Sequence, residues 1–510
     1  MGKRQIVNII NFIRAVEPRE PVDMLLPILK QIQLMNEYNL RGTFLIQYDA
    51  LIDPAFTNLL KDLDPAQFEI GVWFEVVQPL VERIGLTWRG RFPWDWHVYC
   101  GFPMGYTPEQ REQMLDVLYE QFKSVFGYYP KVFGSWFFDS HTVRYISDKF
   151  GVDALCNCKE QHGTDGYTLW GGYYGQGYYP SRTNVFMPAQ TEAEQLPVPL
   201  FRMLGSDPVY QYDLGVDVEN GAKAIQDVIT LEPAYTSAGG GNPDWVDWYM
   251  KENFNGECLS FGYAQAGQEN SFSWPGMEKG LTYQFPLFAR LQQEGKIVVE
   301  PLGDTGRWFK QTYASTPASA ITAHSAYDDP EKNSVWYCSK HYRINLYSDH
   351  GKLRIRDLHI FNEKYPDPFE DTVCETNEAT YESLPVVDGN IFSGNHVIAG
   401  AYPVDTSGQP LAAGEMRFTQ NGTGSALVDY GCIRFTLMEN GLKITADRDF
   451  VLENRAGKTD RHFPTLISCD SSTLRLNYNG TGYGIHADWG YFDGADKLCS
   501  QDGMIELRFI

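Results

Sequence analysis

Apolar runs alternate with segments of helical periodicity through the first three-fifths of the chain. The runs that predict β-strands are residues 5–13, 42–48, 68–74, 131–138, 153–158, 201–205 or 209–212, 258–264 and 296–300. Strands that alternate with helices favour parallel pairing, with each helix crossing back over the sheet. The pattern therefore predicts an α/β fold, a (β/α) barrel of seven or eight strands.

Helical spacing and capping residues define the segments between these strands. In residues 20–38, Leu25, Leu29 and Ile32 repeat at helical intervals. Thr107-Pro108-Glu109-Gln110 has the form of a capping box with proline in the first turn, and it opens a helix. Further helices are expected to end at Gly151 and Gly295, since glycine is common just past a helix C-terminus.

The pattern changes after about residue 307. Residues 316–322 are expected to be a linker, and short alternating strands separated by turn residues follow to the end of the chain. Such strands are typical of a β-sandwich. We therefore expect two domains, a catalytic barrel over residues 1–315 and an all-β sandwich over residues 316–510.

Charge and size narrow the classes of partner. The chain has 510 residues, too many for one compact core, and a formal net charge of −23. This charge argues against a nucleic-acid backbone and an anionic membrane surface as partners, because both attract basic proteins. A neutral carbohydrate stays compatible with it, and the 14% aromatic content supplies rings that stack on sugars.

The cysteines and the absence of long apolar runs bear on location. No apolar run reaches the roughly 18 residues of a membrane span, and the N-terminal segment lacks a cleavage site. The nine cysteines are odd in number and scattered. Free thiols in a reducing compartment are the expected state, so we predict a cytoplasmic protein; a homo-oligomer is possible.

Acids, amides and aromatic residues follow the predicted barrel strands, where the chemistry of such barrels is placed. The strand-end residues, with Trp94 from an aromatic loop, are Arg14, Glu17, Trp73, Glu75, Trp94, Asp139, His141, Asp207, Tyr210, Gln268, Glu269 and Asn270. A carboxyl group among aromatic rings can have its pKa raised by desolvation, as a general acid requires. Two facing carboxylates are what glycoside hydrolysis needs.

Metal chemistry is the alternative to a carboxylate pair. His97 follows Trp94-Asp95-Trp96, and His141 and His162 could join an acid, yet no pair of histidines has helical zinc-site spacing. We therefore predict no metal and no cofactor. A metal-dependent sugar deacetylase or isomerase and a non-catalytic carbohydrate-binding protein stay open as alternatives.

Residues 5–155 resemble the glycoside hydrolase/deacetylase superfamily. Gly42-Thr43-Phe44-Leu45-Ile46 is similar to the second strand of polysaccharide deacetylases, and residues 68–73 and 129–136 are similar to their third strand and to the approach to their fourth. Their metal-binding Asp pair and His-x-x-x-His motif have no counterpart here, where Arg14-Ala15-Val16-Glu17 and Phe74-Glu75-Val76 stand. The metal-free family 57 glycoside hydrolases are the better resemblance.

The resemblance to family 57 implies catalytic carboxylates after the fourth and seventh strands. The matching positions are Asp139 and Glu269, whereas the family has Glu first and Asp second. We expect a glycoside hydrolase that acts on a short oligosaccharide or glycoside, with Asp139 and Glu269 as the catalytic pair and Glu75 in reserve. The residues expected to bind the carbohydrate are Arg14, Glu17, Trp73, Trp94, His97, His141, Asp207, Tyr210, Gln268 and Asn270.

Overall fold

The computed structural model describes residues 3–222, 225–459 and 463–510. The strands up to residue 299 are β1 (Gln5–Ile13), β2 (Gly42–Ile46), β3 (Phe68–Trp73), β4 (Val132–Gly134), β5 (Ala154–Asn157), β6 (Gln161–Thr164), β7 (Tyr167–Trp170), β8 (Gly177–Tyr178), β9 (Leu200–Arg202), β10 (Val216–Asp217), β11 (Gly221–Ala222), β12 (Gly262–Ala266) and β13 (Val298–Val299). The later strands are β14 (Ser319–Ala323), β15 (Lys332–Cys338), β16 (Tyr342–Asp349), β17 (Lys352–Ile360), β18 (Ala379–Glu382), β19 (Leu384–Asp388), β20 (Gly400–Asp405), β21 (Arg417–Gln420), β22 (Ala426–Asp429), β23 (Ile433–Met438), β24 (Gly441–Ala446), β25 (Phe450–Arg455), β26 (Thr465–Cys469), β27 (Thr473–Tyr478), β28 (Thr481–Trp489), β29 (Tyr491–Phe492), β30 (Lys497–Cys499) and β31 (Met504–Phe509).

The helices lie in the first 312 residues of the described chain. They are α1 (Leu26–Glu37), α2 (Tyr48–Leu51), α3 (Pro54–Lys61), α4 (Gln78–Arg83), α5 (Val98–Gly101), α6 (Pro108–Phe126), α7 (Ser140–Phe150), α8 (Pro243–Asn253), α9 (Trp274–Gln293) and α10 (Leu302–Thr312). Short 3₁₀ turns occur at Pro103–Gly105, Gln211–Asp213 and Asn270–Phe272. None of the helices in the described part of the chain is long and apolar enough to span a membrane.

A nearly closed, barrel-like sheet of parallel strands forms the first part of the molecule. The order is β12-β1-β2-β3-β4-β5-β9, with β13 beside the start of β1 and a short antiparallel β8 outside β9. Apart from Gln5, every residue of β1 is buried, since the helices and the barrel interior cover both faces of the strand. Side chains span the remaining gap: Gln265 accepts a hydrogen bond from Leu204 N at 2.8 Å, and the Phe201 and Tyr263 rings lie 5.2 Å apart.

Two antiparallel sheets make up most of the chain after residue 318. One has the order β14-β15-β16-β17-β20-β25-β30-β29, with β19 also paired to β17, and the other has the order β21-β22-β23-β24-β31-β28-β27-β26. Apolar side chains of both sheets, among them Ile355, Leu442 and Leu507, line one shared cavity. Exposed and buried residues alternate along β23 and β31, which is the pattern of strands with one solvated face.

The first and second parts of the chain are joined by hydrogen-bonded strands as well as by packing. Strand β18 pairs in parallel with β7, with Ala379 opposite Tyr167 and Glu382 opposite Trp170. Arg343 of β16 forms an ion pair with Glu160, which follows β5, at 2.9 Å. The boundary near residue 315 stays a prediction, and these contacts show that side chains from both parts can share one site.

The predicted strands of the barrel agree with the structure apart from their ends, and three other assignments are wrong. Residues 316–322 are not a free linker, because Ser319–Ala323 forms the buried edge strand β14. Residues 209–212 do not form a strand, because they follow a turn in which Val209 N donates to Asp207. The other predicted position for this strand, residues 201–205, overlaps β9 at Leu200–Arg202. The alternating pattern of residues 394–401 also predicts a strand there, whereas the structure has the strand at Gly400–Asp405, β20.

Candidate active site

Parallel pairing brings the residues after β1, β3 and β12 to one edge of the barrel. Strand β1 lies between β12 and β2, and β3 follows β2, so the three carboxyl ends converge. Arg14, Glu75 and Glu269 are the side chains placed there, and each is at most 4% exposed. The carboxyl edge of a barrel is where such folds place their chemistry.

Arg14 connects the two carboxylates. Its Nη2 donates to Glu269 Oε2 at 2.6 Å, and its Nε lies 3.6 Å from Glu75 Oε2. The Trp94 ring covers the guanidinium group at 4.0 Å. Burial alone would lower the pKa of Arg14, but the charges of Glu269 and Glu75 outweigh it and raise that pKa, so the arginine stays charged.

Glu75 has the environment of an acid that keeps its proton near neutral pH. Burial is the largest influence and raises its pKa to about 7, and the negative charge of Glu269 adds to the rise. Arg14 and the indole groups of Trp94 and Trp73 counteract the rise without cancelling it. The Trp94 indole donates to Glu75 Oε2 at 2.9 Å, which fixes the carboxyl group in place.

Glu269 accepts hydrogen bonds from donors on two sides. In addition to Arg14, the Ser271 hydroxyl donates to Glu269 Oε1 at 2.7 Å. The site therefore contains one carboxyl group whose pKa is raised and a second that a charged donor and a hydroxyl fix in place, an asymmetry that acid–base catalysis uses.

Glu17 and Arg19 form the outer side of the cluster. Burial would raise the pKa of Glu17, but hydrogen bonds from Arg19 outweigh it and lower that pKa. Arg19 donates to Glu17 Oε2 at 2.7 Å and lies over the Trp94 ring at 5.1 Å. The Arg19 side chain is 40% exposed, so solvent reaches the cluster at this point.

Gln268 and Asn270 position the loop that carries Glu269. Asn270 accepts from Arg14 N at 3.0 Å and donates to the Arg14 carbonyl at 2.8 Å, which fixes the end of β1 against the end of β12. Gln268 donates to Glu232 at 3.2 Å. Both amides therefore have structural partners next to the candidate catalytic residues, and their predicted contact with substrate stays a prediction.

Three charged residues that the sequence analysis did not select also face this region. Asp49 accepts from Ala15 N at 3.1 Å, and burial raises its pKa to about 6. Burial likewise raises the pKa of Glu232 to about 6 and lowers that of Lys159. Asp49 and Lys159 come soon after β2 and β5, so strand-end position could have indicated them, whereas Glu232 lies in a long irregular segment.

Asp139 and His141 have other partners. Asp139 is fully buried; it accepts from Thr142 N at 2.9 Å as the N-cap of α7 and pairs with buried Arg111 at 2.9 Å. His141 lies 2.9 Å from Glu112 of α6, on the outer helices. The structure does not bring Asp139 into the Arg14–Glu269 contacts, and its predicted catalytic role stays an expectation without support from this geometry.

Of the other residues predicted to bind carbohydrate, Trp73 lies beside Glu75, whereas His97, Asp207 and Tyr210 have partners or surroundings outside the Arg14–Glu75–Glu269 cluster. Trp73 is fully buried beside Glu75, with its ring 5.0 Å from that of Trp136. His97 lines an open cavity next to Trp96. Asp207 instead accepts from the Trp245 indole at 2.9 Å, and Tyr210 donates to Asp328 at 2.6 Å.

A metal could be held only at a different place among the residues the structure describes. The ligand atoms of Asp357, His359 and Asp388 lie within 4.8 Å of one another, and all three side chains are buried. Arg343 already forms two hydrogen bonds to Asp357, at 2.9 and 2.7 Å. This group belongs to the β16–β19 region and not to the carboxyl ends of the barrel strands.

Comparisons with solved structures place the fold. A candidate glycoside hydrolase/deacetylase from Parabacteroides distasonis is similar over 76% of this chain and 91% of that one, with a TM-score of 0.58 and 15% identity. A candidate polysaccharide deacetylase from Mycobacterium smegmatis has a TM-score of 0.36 at 12% identity, covering 62% of this chain and 94% of that one. A glycoside hydrolase family 57-type branching enzyme from Pyrococcus horikoshii has a TM-score of 0.33 at 10% identity, covering 62% of this chain and 72% of that one.

The likeness to the Parabacteroides distasonis structure shows that the two proteins share a fold. No protein-family model and no curated protein matches the sequence. At such low identity the likeness concerns architecture, and the chemistry has to be argued from the residues described above.

Proposed function

We propose that this protein is a carbohydrate-active hydrolase that cleaves a glycosidic bond with Glu75 and Glu269. The observation that carries the proposal is the pair of buried carboxylates on either side of Arg14, one with its pKa raised to about 7 and the other held by Arg14 and Ser271. Because both contact one guanidinium group, the two carboxyl groups lie close together, as the paired carboxyl groups of a glycosidase must.

In the proposed reaction Glu75 is the general acid. Its proton passes to the glycosidic oxygen as the bond from that oxygen to the anomeric carbon breaks. Glu269 acts on the anomeric carbon, either directly as nucleophile or by taking a proton from the attacking water. Trp94 and Arg14 hold both carboxyl groups in place, and Glu75 replaces Asp139 as the partner of Glu269 in this proposal.

We further infer that the barrel-like sheet is a (β/α) barrel and that the two later sheets form a β-sandwich. The parallel order β12-β1-β2-β3-β4-β5-β9 and the shared apolar cavity between the later sheets support this architecture. All nine cysteines are free, which supports the predicted cytoplasmic location, since free thiols persist in reducing compartments.

The test is turnover of a panel of aryl glycosides and unbranched oligosaccharides by the wild-type protein and by Glu269→Gln. We expect the substitution to lower kcat by roughly three orders of magnitude or more while the thermal unfolding temperature stays close to wild type. Glu278→Gln, an exposed acid on α9, is the matched control and should retain full activity.

Two results would reject the proposal. One is Glu269→Gln turning over a wild-type substrate at the wild-type rate. The other is release of acetate from acetylated sugars, abolished by a chelator, without new reducing ends, which would identify a metal-dependent deacetylase instead.

A further inference from the structure

A cavity of about 550 Å³, lined by both polar and apolar groups, lies beside the candidate active site. Its wall comes from the aromatic loop at Trp96 and His97, the β6–β7 hairpin, the side chain of Ile225, and residues 377–382 of the later part. It is separate from the buried carboxylate pair, and the contacts that define the proposed chemistry do not use it.

Arg19 connects this cavity to the carboxylate pair. The Arg19 guanidinium lies 5.3 Å from the Trp96 ring and 3.9 Å from Asp165, both of which line the cavity. On its other side Arg19 contacts Glu17 and Trp94. The hydrogen bond to Glu17 is the largest influence that raises the pKa of Arg19, and the charges of Asp165 and Glu269 add to it, so one charge network runs from the cavity to the carboxylates.

Backbone hydrogen bonds hold the cavity wall in position. Asn377 O accepts from Val98 N at 3.1 Å, and Ala379 N donates to Gly166 O at 3.0 Å. Gly166 has φ +80°, and a Cβ at this position would lie 2.7 Å from Asn377 O. Backbone hydrogen bonds to Val98 and Gly166 therefore hold residues 377–382 in place against the first part of the chain.

The lining residues have the chemistry of sugar recognition. Thr168 and Thr380 offer hydroxyl groups, Asn377 offers an amide, and Asp165 and Glu378 offer carboxylates, so the wall contains both donors and acceptors. Asn377, Glu378 and Thr380 are exposed to solvent. Carboxylates on this wall disfavour an anionic ligand, as does the net charge of −23.

We infer that this cavity is a binding subsite for additional sugar units of an oligosaccharide chain, units that are neutral or carry an amine but no carboxylate. The inference rests on the proposed function for the identity of the ligand class. In this subsite, residues 377–382 bind substrate. The later part of the chain therefore determines how strongly affinity depends on the length of the oligosaccharide.

The test uses Thr380→Tyr, which fills the cavity from an exposed strand position that favours aromatic residues. The matched control is Thr465→Tyr, the same change at an exposed position of β26. Calorimetry measures binding of malto-, cello-, xylo- and N-acetylchito-oligosaccharides of two to six units, with oligogalacturonates as the anionic series. These titrations are made in a Glu269→Gln background so that no probe is consumed.

With one neutral series, we expect affinity to rise with chain length in Glu269→Gln and in the Thr465→Tyr control. Thr380→Tyr should remove that gain, about tenfold for the longest member, and leave the shortest unchanged. Oligogalacturonates should not bind. The inference is overturned if Thr380→Tyr keeps the gain, if oligogalacturonates bind best, or if no neutral series binds more tightly with length.

Turnover by the otherwise wild-type protein separates the two proposals. If no probe is cleaved while Thr380→Tyr still removes the length-dependent gain, the hydrolase proposal fails and the subsite stands. If the probes are cleaved and Thr380→Tyr treats all lengths as the wild type does, the hydrolase proposal stands and the subsite is rejected.

Discussion

At the scale of single residues, two chemically identical side chains of the candidate site have different surroundings. Glu75 and Glu269 contact the same arginine, yet Glu75 lies 3.6 Å from it and Glu269 lies 2.6 Å from it. Desolvation is the largest influence on Glu75 and raises its pKa, whereas Glu269 forms the shorter ion pair with Arg14. Within the described residues, Glu75 Oε1 and Arg14 Nη1 are buried without a hydrogen-bond partner, as expected where a substrate hydroxyl would bind.

The raised pKa of Glu75 predicts a pH profile. General acid catalysis needs the protonated form, so kcat should fall as the pH rises through about 7. The stability of the protein should depend on pH in the same direction. Because the pKa of Glu75 is raised from 4.5 to about 7 in the folded protein, its protonated form contributes fully to the free energy of unfolding below pH 4.5. That contribution is lost as the pH rises through about 7. Rates measured from pH 5 to 9 test the first point.

Glu75→Gln should remove this alkaline limb and lower kcat by roughly 10²–10⁴-fold on substrates with poor leaving groups. Glu82→Gln, an exposed acid on α4, is the control and should keep the wild-type profile. A wild-type profile in Glu75→Gln would show that another group supplies the proton.

Removal of Arg14 should affect both carboxylates at once. Arg14→Gln leaves Glu75 and Glu269 buried beside each other without a cation, and loss of one partner from a buried ion pair costs about 3–5 kcal/mol. The free energy of unfolding at pH 7 should fall accordingly. The loss should be smaller at pH 5, where Glu75, with its pKa raised to about 7, carries a proton and no negative charge. Urea titrations at the two pH values measure the loss, and an equal loss at both would contradict the assignment.

At the scale of elements, Asp139 at the start of α7 has a structural role, although its position in the sequence resembles that of a catalytic residue. Asp139 follows a strand among aromatic residues, yet it caps α7 through Thr142 N and pairs with Arg111, whose guanidinium also donates to Phe369 O at 2.8 Å. The carboxylate therefore fastens α7 and α6 to the segment around residue 369. Its two oxygens already have three hydrogen bonds.

This placement predicts a stability effect. Asp139→Asn retains an acceptor for the helix cap but leaves Arg111 as a buried cation without its carboxylate, so the protein should lose about 3–5 kcal/mol of unfolding free energy. Below its lowered transition temperature, kcat should stay within a few-fold of wild type. Asp148→Asn, an exposed acid on the same helix, controls for charge; a loss of kcat by several orders of magnitude without a loss of stability would restore Asp139 as a catalytic residue.

At the scale of the whole molecule, a buried charge network joins the two parts of the chain. Glu160 pairs with Arg202 at 3.2 Å and with Arg343 at 2.9 Å, and Arg343 pairs with Asp357 at 2.7 Å. His359 lies 3.6 Å from Asp357 and 3.2 Å from Asp388. Separation of the two parts would leave buried charges without their partners, which is strongly destabilising. We therefore expect the barrel and the later sheets to unfold together.

Asp388 makes this network sensitive to acid. Burial works to raise its pKa, but hydrogen bonding and charge from His359 outweigh burial and lower it to about 2. A lowered folded-state pKa contributes stability above the ordinary value of 3.8 that is lost as the pH falls through about 2. Asp388→Asn should therefore be less stable than wild type at pH 6 by about 2 kcal/mol or more, with the difference shrinking between pH 4 and pH 2.

Circular dichroism during acid titration of both proteins measures this difference. Asp493→Asn, an exposed acid directly after β29, is the control and should titrate as the wild type does. A constant difference between Asp388→Asn and wild type over the whole range would show that Asp388 does not titrate as proposed.

The sequence by itself determined the alternation of strands and helices, the resemblance to the superfamily and the strand ends that carry Arg14, Glu75 and Glu269. These are local properties, since apolar runs and capping residues act within a few positions of the chain. The tertiary structure decided which strand-end acids meet. It paired Asp139 with Arg111, used Asp207 in a turn, added Glu232, and placed residues 377–382 beside the barrel. Spacing along the chain does not contain that information, because partners from distant segments set the burial, charge and pKa of a side chain.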